Sequence, residues 1–463
     1  MKCIILTGSS GDRLWPMART SSPKELLKLY NNDKTLLQNI FENAMALTDA
    51  KNIVTVTNFA QETDTKLQLK NYSNKPIVIS EPLVRNSAPS ITCALNFIKR
   101  KRDDIAVILP ADFIITNKKS FLKTIEAAKL SAQEGNVVAI GVKPSYAEEG
   151  FGYIKAGSKS GSAYAVEQFT EKPSLELAQE FFKDKKYFWN TGIYVAKISV
   201  LLSAIEEYAP DIYSAISPDI IDKNNKIKYE DYENLPSISI DYAVIEKIDN
   251  LTFVELKTKW SDMSSWKSIY DNSPKDSDGN VISGNVICNK VKNSFVFSQK
   301  ELVAVSGVND KIIVDTEDAL LVCDNEKAKE ISKIVNALKN IKSKTVEEHK
   351  TVFRPWGFYT CLNSGKGWLT KIITVAAGHK LSLQSHNHRS EHWVVLEGEA
   401  TVILDNEKHI LNKAQSIDIP LNAVHSLQNH TNSPLKILEV QKGDYISEND
   451  IIRYEDIYGR VNV

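Results

Sequence analysis

The chain has 463 residues, 42% of them hydrophobic, and its 57 basic side chains nearly balance 58 acidic ones. This length exceeds what one hydrophobic core serves and predicts two or three domains. The balanced charge argues against a broad nucleic-acid-binding or membrane-surface role. The five cysteines are scattered and form no CxxC pair, which predicts a protein without a disulfide framework. The sequence has no apolar run near about 18 residues and no signal-peptide pattern, and we therefore predict a cytoplasmic protein.

The first segment joins a short apolar run to a Gly/Ser-rich turn. Cys3–Leu6 predicts a buried strand, and it is followed by Thr7-Gly8-Ser9-Ser10-Gly11-Asp12-Arg13. Backbone N–H groups in such a turn can surround phosphate oxygens, because glycine lets the backbone come close to a ligand. Arg13 can hold a pyrophosphate through its planar guanidinium, and Lys24 supplies a compact charge. For the short GxxG pattern alone, a plain turn with a surface arginine is the alternative.

Short apolar strands and amphipathic helices alternate from Met1 to about Trp266. This order predicts an α/β, Rossmann-like domain with a mostly parallel sheet that binds ligands beyond the C-terminal ends of its strands. The predicted strands are Cys3–Leu6, Ile53–Thr57, Ile77–Ser80, Ala106–Leu109, Val137–Gly141, Ala163–Phe169 and Gly192–Ala196. The predicted helices are Leu36–Leu47, Ser87–Lys101, Lys119–Gln133 and Leu175–Lys183, and Ser87 is expected to cap the second of them.

Several polar strings stand after these strands or in the loops between them. Each string alone has an ordinary explanation as a helix cap, a solvated loop or an exposed turn. They are Glu81-Pro82-Leu83-Val84-Arg85-Asn86-Ser87-Ala88-Pro89, Leu109-Pro110-Ala111-Asp112, Gly150-Phe151-Gly152-Tyr153, Phe169-Thr170-Glu171-Lys172-Pro173, Trp189-Asn190-Thr191-Gly192 and Trp260-Ser261-Asp262-Met263-Ser264-Ser265-Trp266. Asp112 and Asp262 are candidate Mg²⁺ ligands, since Mg²⁺ takes few carboxylates plus phosphate oxygens.

Taken together with Gly8–Pro16 and Pro23-Lys24, these strings resemble the sugar-nucleotide pyrophosphorylases, specifically the mannose-1-phosphate guanylyltransferases. The resemblance implies that GTP and mannose 1-phosphate are joined into GDP-mannose and pyrophosphate. It implies catalytic roles for Arg13 and Lys24, and Mg²⁺ held by Asp112 and Asp262. The implied nucleotide contacts are Gly8, Ser9, Ser10, Gly11, Asp12, Arg85, Asn86 and Ala88. The implied sugar-phosphate contacts are Asp112, Gly152, Glu171, Lys172, Asn190 and Asp262.

The chain departs from the pattern of that family at four positions. In the phosphate loop, Ser9 replaces a glycine and Asp12 replaces a threonine, which brings a negative charge close to the phosphates. Phe113 stands where histidine is usual, and Ser264 stands where glycine is usual. These two departures leave another sugar or nucleotide as an alternative substrate.

The middle of the chain, from residue 271 to 344, changes character. Short strands at close spacing predict a small β-coil or sandwich cap, and they are Val281–Val286, Phe295–Phe297, Leu302–Val305 and Ile312–Asp315. Glu326–Lys344 predicts a polar amphipathic helix that links two domains. No motif with evident chemistry occurs here, so the predicted domains are 1–270, 271–344 and 345–463.

All eight histidines lie at or after His349, in a region whose pattern is almost entirely β. This pattern predicts a C-terminal barrel or jelly roll. The predicted strands are Leu369–Val375, His392–Leu396, Ala400–Leu404, Ser416–Pro420, Val424–Gln428 and Leu435–Gln441.

The most informative string of this region is Gln384-Ser385-His386-Asn387-His388-Arg389-Ser390-Glu391-His392-Trp393. The period of two in a strand places Gln384 and His386 on one face, while Glu391 belongs to the next strand across a turn. Two strings resemble the two cupin motifs. The first runs from Glu391 to Gly398, and the second runs from Pro420 to Asn429 and contains His425. A set of Gln384, His386, Glu391 and His425 would suit Zn²⁺, Mn²⁺, Fe²⁺ or Co²⁺. His388 and His392 are not predicted as ligands.

Three further strings resemble the phosphomannose isomerase domain that is fused to these guanylyltransferases. They are Arg354-Pro355-Trp356-Gly357, Leu381-Ser382-Leu383-Gln384 and Tyr454-Glu455-Asp456-Ile457-Tyr458-Gly459-Arg460. The resemblance implies metal-dependent interconversion of mannose 6-phosphate and fructose 6-phosphate, with a base that the sequence does not identify. Arg389 and Arg453 are candidates for phosphate or enediolate contacts, or are ordinary surface arginines. A non-catalytic sugar- or metal-binding module is the alternative, and homo-oligomerisation stays open.

Overall fold

The computed structural model describes residues 1–9, 11–29, 34–99, 104–217 and 219–458, in two compact units, Met1–Glu347 and Glu348–Val463. Ser10, a predicted nucleotide contact, lies outside the described residues. So do Gly459 and Arg460 of the C-terminal string and residues 100–101 of a predicted helix. Among the described residues, the structure contains no helix that is long and apolar enough to cross a membrane.

The first unit contains a main domain of alternating strands and helices. Its strands are β1 (Lys2–Leu6), β2 (Ile53–Asn58), β3 (Ile77–Glu81), β4 (Ile105–Pro110), β5 (Phe113–Ile115), β6 (Val137–Val142), β7 (Tyr153–Ser160), β8 (Ala163–Thr170), β9 (Tyr187–Lys197), β10 (Leu251–Glu255) and β11 (Trp260–Asp262). Its helices are α1 (Leu36–Met45), α2 (Glu62–Leu69), α3 (Ser87–Ile98), α4 (Lys118–Gln133), α5 (Leu175–Lys183), α6 (Ile198–Tyr208), α7 (Pro210–Ala215), α8 (Tyr229–Tyr232) and α9 (Trp266–Asn272).

Nine of these described strands form one sheet, in the order β3-β2-β1-β4-β9-β6-β10-β8-β7. The sheet is mixed: β8 and β9 run against the direction shared by the other seven. Helices cover both faces, so Cys3 and Ile5 belong to one hydrophobic core and Ile4 to the other. This double burial explains why β1 reads as a continuous apolar run, and the Rossmann-like prediction is confirmed.

The seven strands predicted in this domain are all present. Most observed ends extend the prediction by about one residue, but β9 begins already at Tyr187. The helix predicted to start at Ser87 is capped by Asn86 instead, because the Asn86 Oδ1 accepts a hydrogen bond from the Ser87 backbone N–H. The Ser87 hydroxyl oxygen accepts a hydrogen bond from the Ile240 backbone N–H, 2.9 Å away.

The middle region forms a small β-coil on the first unit. Its strands are β12 (Val281–Asn289), β13 (Phe295–Ser306), β14 (Lys311–Asp315) and β15 (Leu320–Asp324), and α10 spans Ile331–Asn340. The first three strands pair in parallel. Helix α10 is shorter than the predicted linker helix, and it packs Ile331 and Val335 into a core shared with Leu14 and Trp15. Instead of connecting two domains freely, this helix supports the segment that follows β1.

The second unit is a β-sandwich of two antiparallel sheets, which confirms the predicted cupin-like architecture. Its strands are β16 (Thr351–Arg354), β17 (Gly357–Gly365), β18 (Trp368–Val375), β19 (Leu383–His386), β20 (Arg389–Glu397), β21 (Ala400–Leu404), β22 (Glu407–Leu411), β23 (Ser416–Ile419), β24 (His425–Gln428), β25 (Leu435–Gly443) and β26 (Ile451–Glu455). The sheet orders are β16-β17-β18-β25-β20-β23 and β22-β21-β24-β19-β26. Trp393, Val395, Leu427 and Ile437 lie in the core between them.

Candidate functional site

The loop after β1 folds back onto the segment that carries Lys24. Gly8 and Gly11 both adopt the left-handed backbone region, with φ values of 93° and 63°. A Cβ atom on Gly11 would lie 2.8 Å from the Ala18 Cβ and 3.2 Å from the Lys24 backbone nitrogen. Glycine is therefore required at this position by both backbone conformation and close approach.

Lys24 and the two predicted Mg²⁺ ligands meet at the ends of two short paired strands. The Lys24 Nζ lies 2.8 Å from the Asp112 Oδ2. Strands β5 and β11 pair Asp262 with Phe113, and the Met263 backbone N–H donates to the Asp112 carbonyl oxygen at 2.8 Å. The positive charge of Arg13, an exposed residue, favours the ionised form of both aspartates. The structure thus brings together three residues that lie far apart in the sequence, Lys24, Asp112 and Asp262.

Among the described residues, Asp112 has a direct ion-pair partner, whereas Asp262 has only a hydrogen bond from Ser264. Burial and the charge of Asp112 raise the pKa of Asp262 to about 6. Burial also acts on Asp112, but the charge and hydrogen bond of Lys24 outweigh it and leave its pKa lowered. The Asp112 side chain keeps 34% exposure, so water screens part of this interaction. An incompletely neutralised carboxylate pair of this kind fits a divalent cation such as Mg²⁺.

The departures from the family pattern are each accommodated locally. Asp12 pairs with Lys339 of α10, with 2.7 Å between the Oδ2 and the Nζ, so its charge near the phosphate loop has a partner. Phe113 is buried and packs on Trp260, with 6.2 Å between the ring centroids. The Ser264 hydroxyl donates a hydrogen bond to the Asp262 carboxylate.

Glu25 is a component of this site that sequence reasoning missed. It is buried, and its Oε1 accepts a hydrogen bond of 2.6 Å from the Ser9 hydroxyl. Its other carboxylate oxygen is buried and lacks a hydrogen-bond partner. Burial raises the pKa of Glu25, while Lys24 opposes that shift. The contact ties the glycine loop to the Lys24 segment, and no motif in the sequence pointed to it.

The predicted guanine-binding string lies at the start of α3. The Arg85 guanidinium donates to the Glu233 carbonyl oxygen, and Asn86 holds a φ of 65° as the helix cap. The Ala88 backbone N–H donates to the Ile238 carbonyl oxygen at 3.1 Å. The Ala88 backbone donor is thus used within the protein, and the nucleotide contacts of Arg85, Asn86 and Ala88 stay predictions.

Two predicted sugar-phosphate residues, Gly152 and Lys172, lie beside Glu171. A Cβ atom on Gly152 would lie 2.5 Å from the Glu171 Oε2, so the absence of a side chain there makes room for that carboxylate. The Lys172 Nζ lies 3.5 Å from the Glu171 Oε1, and Lys172 itself has a positive φ of 47°. Burial and the charge of Asp241 raise the pKa of Glu171 to about 7.

Asp241 is a second residue that the sequence analysis did not identify. Its Oδ1 accepts hydrogen bonds from the Asn190 side-chain amide at 3.0 Å and from the Tyr194 hydroxyl. It begins a single π-helical turn, Asp241–Ile245, a local form often found at functional sites. Asp241 thereby orients the predicted sugar contact Asn190. An aspartate without a flanking motif offered no sequence signal.

In the second unit, His386, Glu391 and His425 form a buried cluster whose ligand atoms lie within 4.8 Å of one another. The His386 Nε2 lies 3.2 Å from the Glu391 Oε1, and the His425 Nε2 lies 3.8 Å from the Glu391 Oε2. Each histidine Nδ1 faces a backbone carbonyl oxygen, of Asp450 and Ala423 respectively. Because a carbonyl only accepts, each Nδ1 donates. The His386 Nε2 then accepts a hydrogen bond from the Arg389 Nη2 at 3.3 Å, and the His425 Nε2 keeps a lone pair without a partner.

The buried His425 Nε2 has no hydrogen-bond partner, and that orphaned atom is the best sign that the cluster fits a metal ion. Glu391 is held on several sides: Arg389 Nε donates to its Oε1 at 2.9 Å, Gln441 donates to the same oxygen at 3.1 Å, and the Trp393 indole donates to its Oε2 at 3.1 Å. The donor set of two imidazoles and one carboxylate suits several transition metals and selects none of them.

The structure also locates the neighbours of this cluster. Gln384 pairs with His425 across β19 and β24, and its Oε1 accepts a hydrogen bond from the Ser382 hydroxyl, so its ligand role stays a prediction. His388 is exposed, and His392 pairs at the surface with Asp418, so neither belongs to the buried cluster. Arg389 is buried and is no ordinary surface arginine.

The chain has a nine-stranded mixed sheet with a glycine loop after its first strand, and a β-coil and a cupin follow in the sequence. These features define it as a nucleotidyltransferase with an appended β-domain. Three family models match it: Nucleotidyl transferase over residues 2–279, MannoseP isomerase/GMP-like beta-helix domain over 284–338, and Mannose-6-phosphate isomerase C-terminal over 341–456. The chain belongs to the family of mannose-1-phosphate guanylyltransferases that carry a mannose-6-phosphate isomerase C-terminal domain.

Individual relatives agree over nearly the full length. The chain is 36% identical to mannose-1-phosphate guanylyltransferase RfbM of Salmonella typhimurium, covering 98% of this chain and 97% of the relative. It is also 36% identical to xanthan biosynthesis protein XanB of Xanthomonas campestris pv. campestris, covering 99% and 98%. A solved structure titled mannose-1-phosphate geranyltransferase from Thermus thermophilus matches with a TM-score of 0.65 and 26% identity, over 73% of this chain and 99% of that one.

Proposed function

We propose that the first unit transfers GMP from GTP to mannose 1-phosphate, which yields GDP-mannose and pyrophosphate. The observation that carries this proposal is the convergence of Lys24, Asp112 and Asp262 beside the glycine loop. The names of the full-length relatives support the choice of substrates.

In this reaction a phosphate oxygen of mannose 1-phosphate attacks the α-phosphorus of GTP. The new P–O bond forms as the bond from the α-phosphorus to the bridging oxygen breaks, and pyrophosphate leaves with the electron pair. Lys24 and Arg13 neutralise charge on the triphosphate, while the loop amides from Gly8 to Gly11 orient it. Glu171 accepts hydrogen bonds from sugar hydroxyls, and Lys172 pairs with the sugar phosphate. Mg²⁺ held by Asp112 and Asp262 would add charge neutralisation.

The test is a substrate panel with the purified chain. GTP, ATP and UTP are each combined with mannose, glucose and galactose 1-phosphates, and pyrophosphate release is measured. We expect the highest kcat/KM for GTP with mannose 1-phosphate. A clearly higher kcat/KM for another pair would still show nucleotidyl transfer but would refute the proposed substrates. The panel thus tests whether the departures at Phe113 and Ser264 change the substrate.

For the second unit we infer a metal-dependent isomerase that interconverts mannose 6-phosphate and fructose 6-phosphate. The buried His386, Glu391 and His425 cluster, with its unpartnered Nε2, supports this inference. Zn²⁺, Mn²⁺, Fe²⁺ or Co²⁺ bound there would polarise the oxygens on C1 and C2 while a proton moves between the two carbons. Arg389 and the Trp393 indole hold the Glu391 carboxylate in one orientation.

Isomerisation is measured with the purified chain after chelation and after return of each metal ion. We expect activity that is lost on chelation and restored by at least one of the four ions. A chain that binds the metal but never isomerises would refute the inferred isomerase and favour a regulatory sugar- or metal-binding module.

A further inference from the structure

A small cavity beside the His386 and Glu391 cluster is lined by four basic and three acidic side chains. Its volume is about 50 Å³, and the basic residues are Arg354, Lys371, Arg389 and Arg453. Pockets that hold small organic ligands usually measure about 300–1,000 Å³. A hexose phosphate does not fit the cavity in this form, so a side chain that lines it must move before substrate enters.

Glu448 is the side chain best placed to move. Its Oε1 lies 2.9 Å from the Lys371 Nζ, and its side chain is 39% exposed whereas that of Lys371 is 8% exposed. Burial alone would raise the pKa of Glu448, but the positive charge of Lys371, with further contributions from two arginines, lowers it to about 2. A carboxylate thus stands at the outer side of a cluster of cations.

Two cations of this cluster, Lys371 and Arg354, also contact an aromatic ring. Lys371 Nζ lies 4.5 Å from the centroid of the Tyr359 ring, and the Arg354 Cζ lies 5.4 Å from the same ring. Such contacts favour a cation over an aromatic face. Lys371 and Arg354 therefore each have a contact that does not involve Glu448.

The backbone around Glu448 is fixed, so the movement involves only its side chain. The Arg389 guanidinium donates to the Ser447 carbonyl oxygen at 2.8 Å. On the other side, the Asp450 carboxylate accepts hydrogen bonds of 3.1 Å from the backbone N–H groups of Asn387 and His388. Rotation of one half-exposed side chain between two anchored residues needs no rearrangement of the fold.

We propose that Lys371 and Arg354 form a phosphate-binding subsite, and that the Glu448 carboxylate occupies this subsite until an incoming phosphate dianion displaces it. Displacement exchanges one anion for another on the same cations and opens the cavity toward the metal cluster. The identification of that phosphate with the 6-phosphate of a hexose rests on the isomerase proposed above. The subsite itself rests on the cation pair and its internal counter-ion.

The test is calorimetric titration of the full chain with inorganic phosphate, using wild type, Glu448→Gln, Lys371→Met and Arg354→Met. Glu397→Gln is the matched control, because Glu397 pairs with Lys436 at 2.9 Å elsewhere on the same unit. Phosphate binding by the first unit is present in every variant and is subtracted by comparison with Lys371→Met. Arg354→Met serves the same purpose if Lys371→Met fails to fold.

We expect Glu448→Gln to bind phosphate at least about fivefold more tightly than wild type, since the competing carboxylate is gone. The cation variants should lose this site, and Glu397→Gln should match wild type. Unchanged or weaker binding by Glu448→Gln would overturn the proposal, as would retention of the site in both cation variants. Tighter binding by Glu448→Gln in a chain that never isomerises hexose phosphates would support the subsite and refute the isomerase.

Discussion

The buried ion pair between Arg19 and Asp318 joins the segment after the phosphate loop to the β-coil. Asp318 Oδ1 lies 2.7 Å from the Arg19 Nη2, and the two side chains are 11% and 0% exposed. Burial lowers the pKa of Arg19, with Asp318 opposing that shift, and two further guanidinium nitrogens have no hydrogen-bond partner. Asp318→Asn keeps the shape of the side chain but removes the charge, so it leaves a buried cation without a counter-ion.

Breaking a buried ion pair by removing one partner costs about 3–5 kcal/mol. We therefore expect Asp318→Asn to lower the free energy of unfolding by about this amount in urea titrations, and to lower Tm by roughly 5–15 °C. Asp271→Asn is the control, because the Lys267–Asp271 pair is exposed and its removal should cost less than about 0.5 kcal/mol. A loss in Asp318→Asn no larger than that of the control would refute the reasoning. The double variant Arg19→Met, Asp318→Leu should recover much of the loss.

Four further predictions concern the two sites. Lys24→Met should lower kcat/KM for pyrophosphate release by about 100-fold or more, since a charge aimed at the phosphates is lost, whereas exposed Lys28→Met should not change it. Gly152→Ala should raise KM for the sugar phosphate at least about tenfold, because its Cβ would meet the Glu171 carboxylate at 2.5 Å; Gly161→Ala, whose Cβ would meet nothing within 4 Å, should leave KM unchanged. Since the pKa of Glu171 is raised to about 7, its ionised form gains population as pH rises through 7, and KM for the sugar phosphate should fall across that range. Glu171→Gln should abolish this fall in KM with pH. A fall that persists in the variant would assign the pH dependence to another group. Glu391→Gln should reduce the bound transition metal measured by elemental analysis by about 10-fold or more, whereas exposed Glu407→Gln should retain it.

Much of the architecture was predictable because it depends on local pattern. A strand buried on both faces is mostly apolar, so β1 and β4 were evident as short apolar runs. Four strands of this domain were not predicted: β5, β7, β10 and β11. Of these, β5 and β11 have only three residues each, which is too short for a period to be recognised. The direction of β9 within the sheet was also beyond local pattern, since it depends on which neighbours a strand pairs with.

Of the candidate site residues, those in motifs were predictable from the sequence, and isolated carboxylates were not. Two candidate sites were predicted from closely spaced residues or recognisable motifs. They are the glycine loop with Arg13 and Lys24, and the set of His386, Glu391 and His425. Glu25, Asp241 and Glu448 were not identified, because a lone carboxylate has the same appearance in the sequence whether it lies in solvent or beside a site. Their hydrogen bonds to Ser9, Asn190 and Lys371 exist only after the chain has folded.

The sequence by itself determined the succession of domains, the family resemblance and the residue types available to each site. Only the tertiary structure decided that Asp12 pairs with Lys339, that Arg19 pairs with Asp318, and that Glu448 rests on Lys371. These pairs join residues separated by 77 to 327 positions. Coulombic attraction depends on distance in space and on burial, and neither quantity is contained in the spacing of residues along a chain.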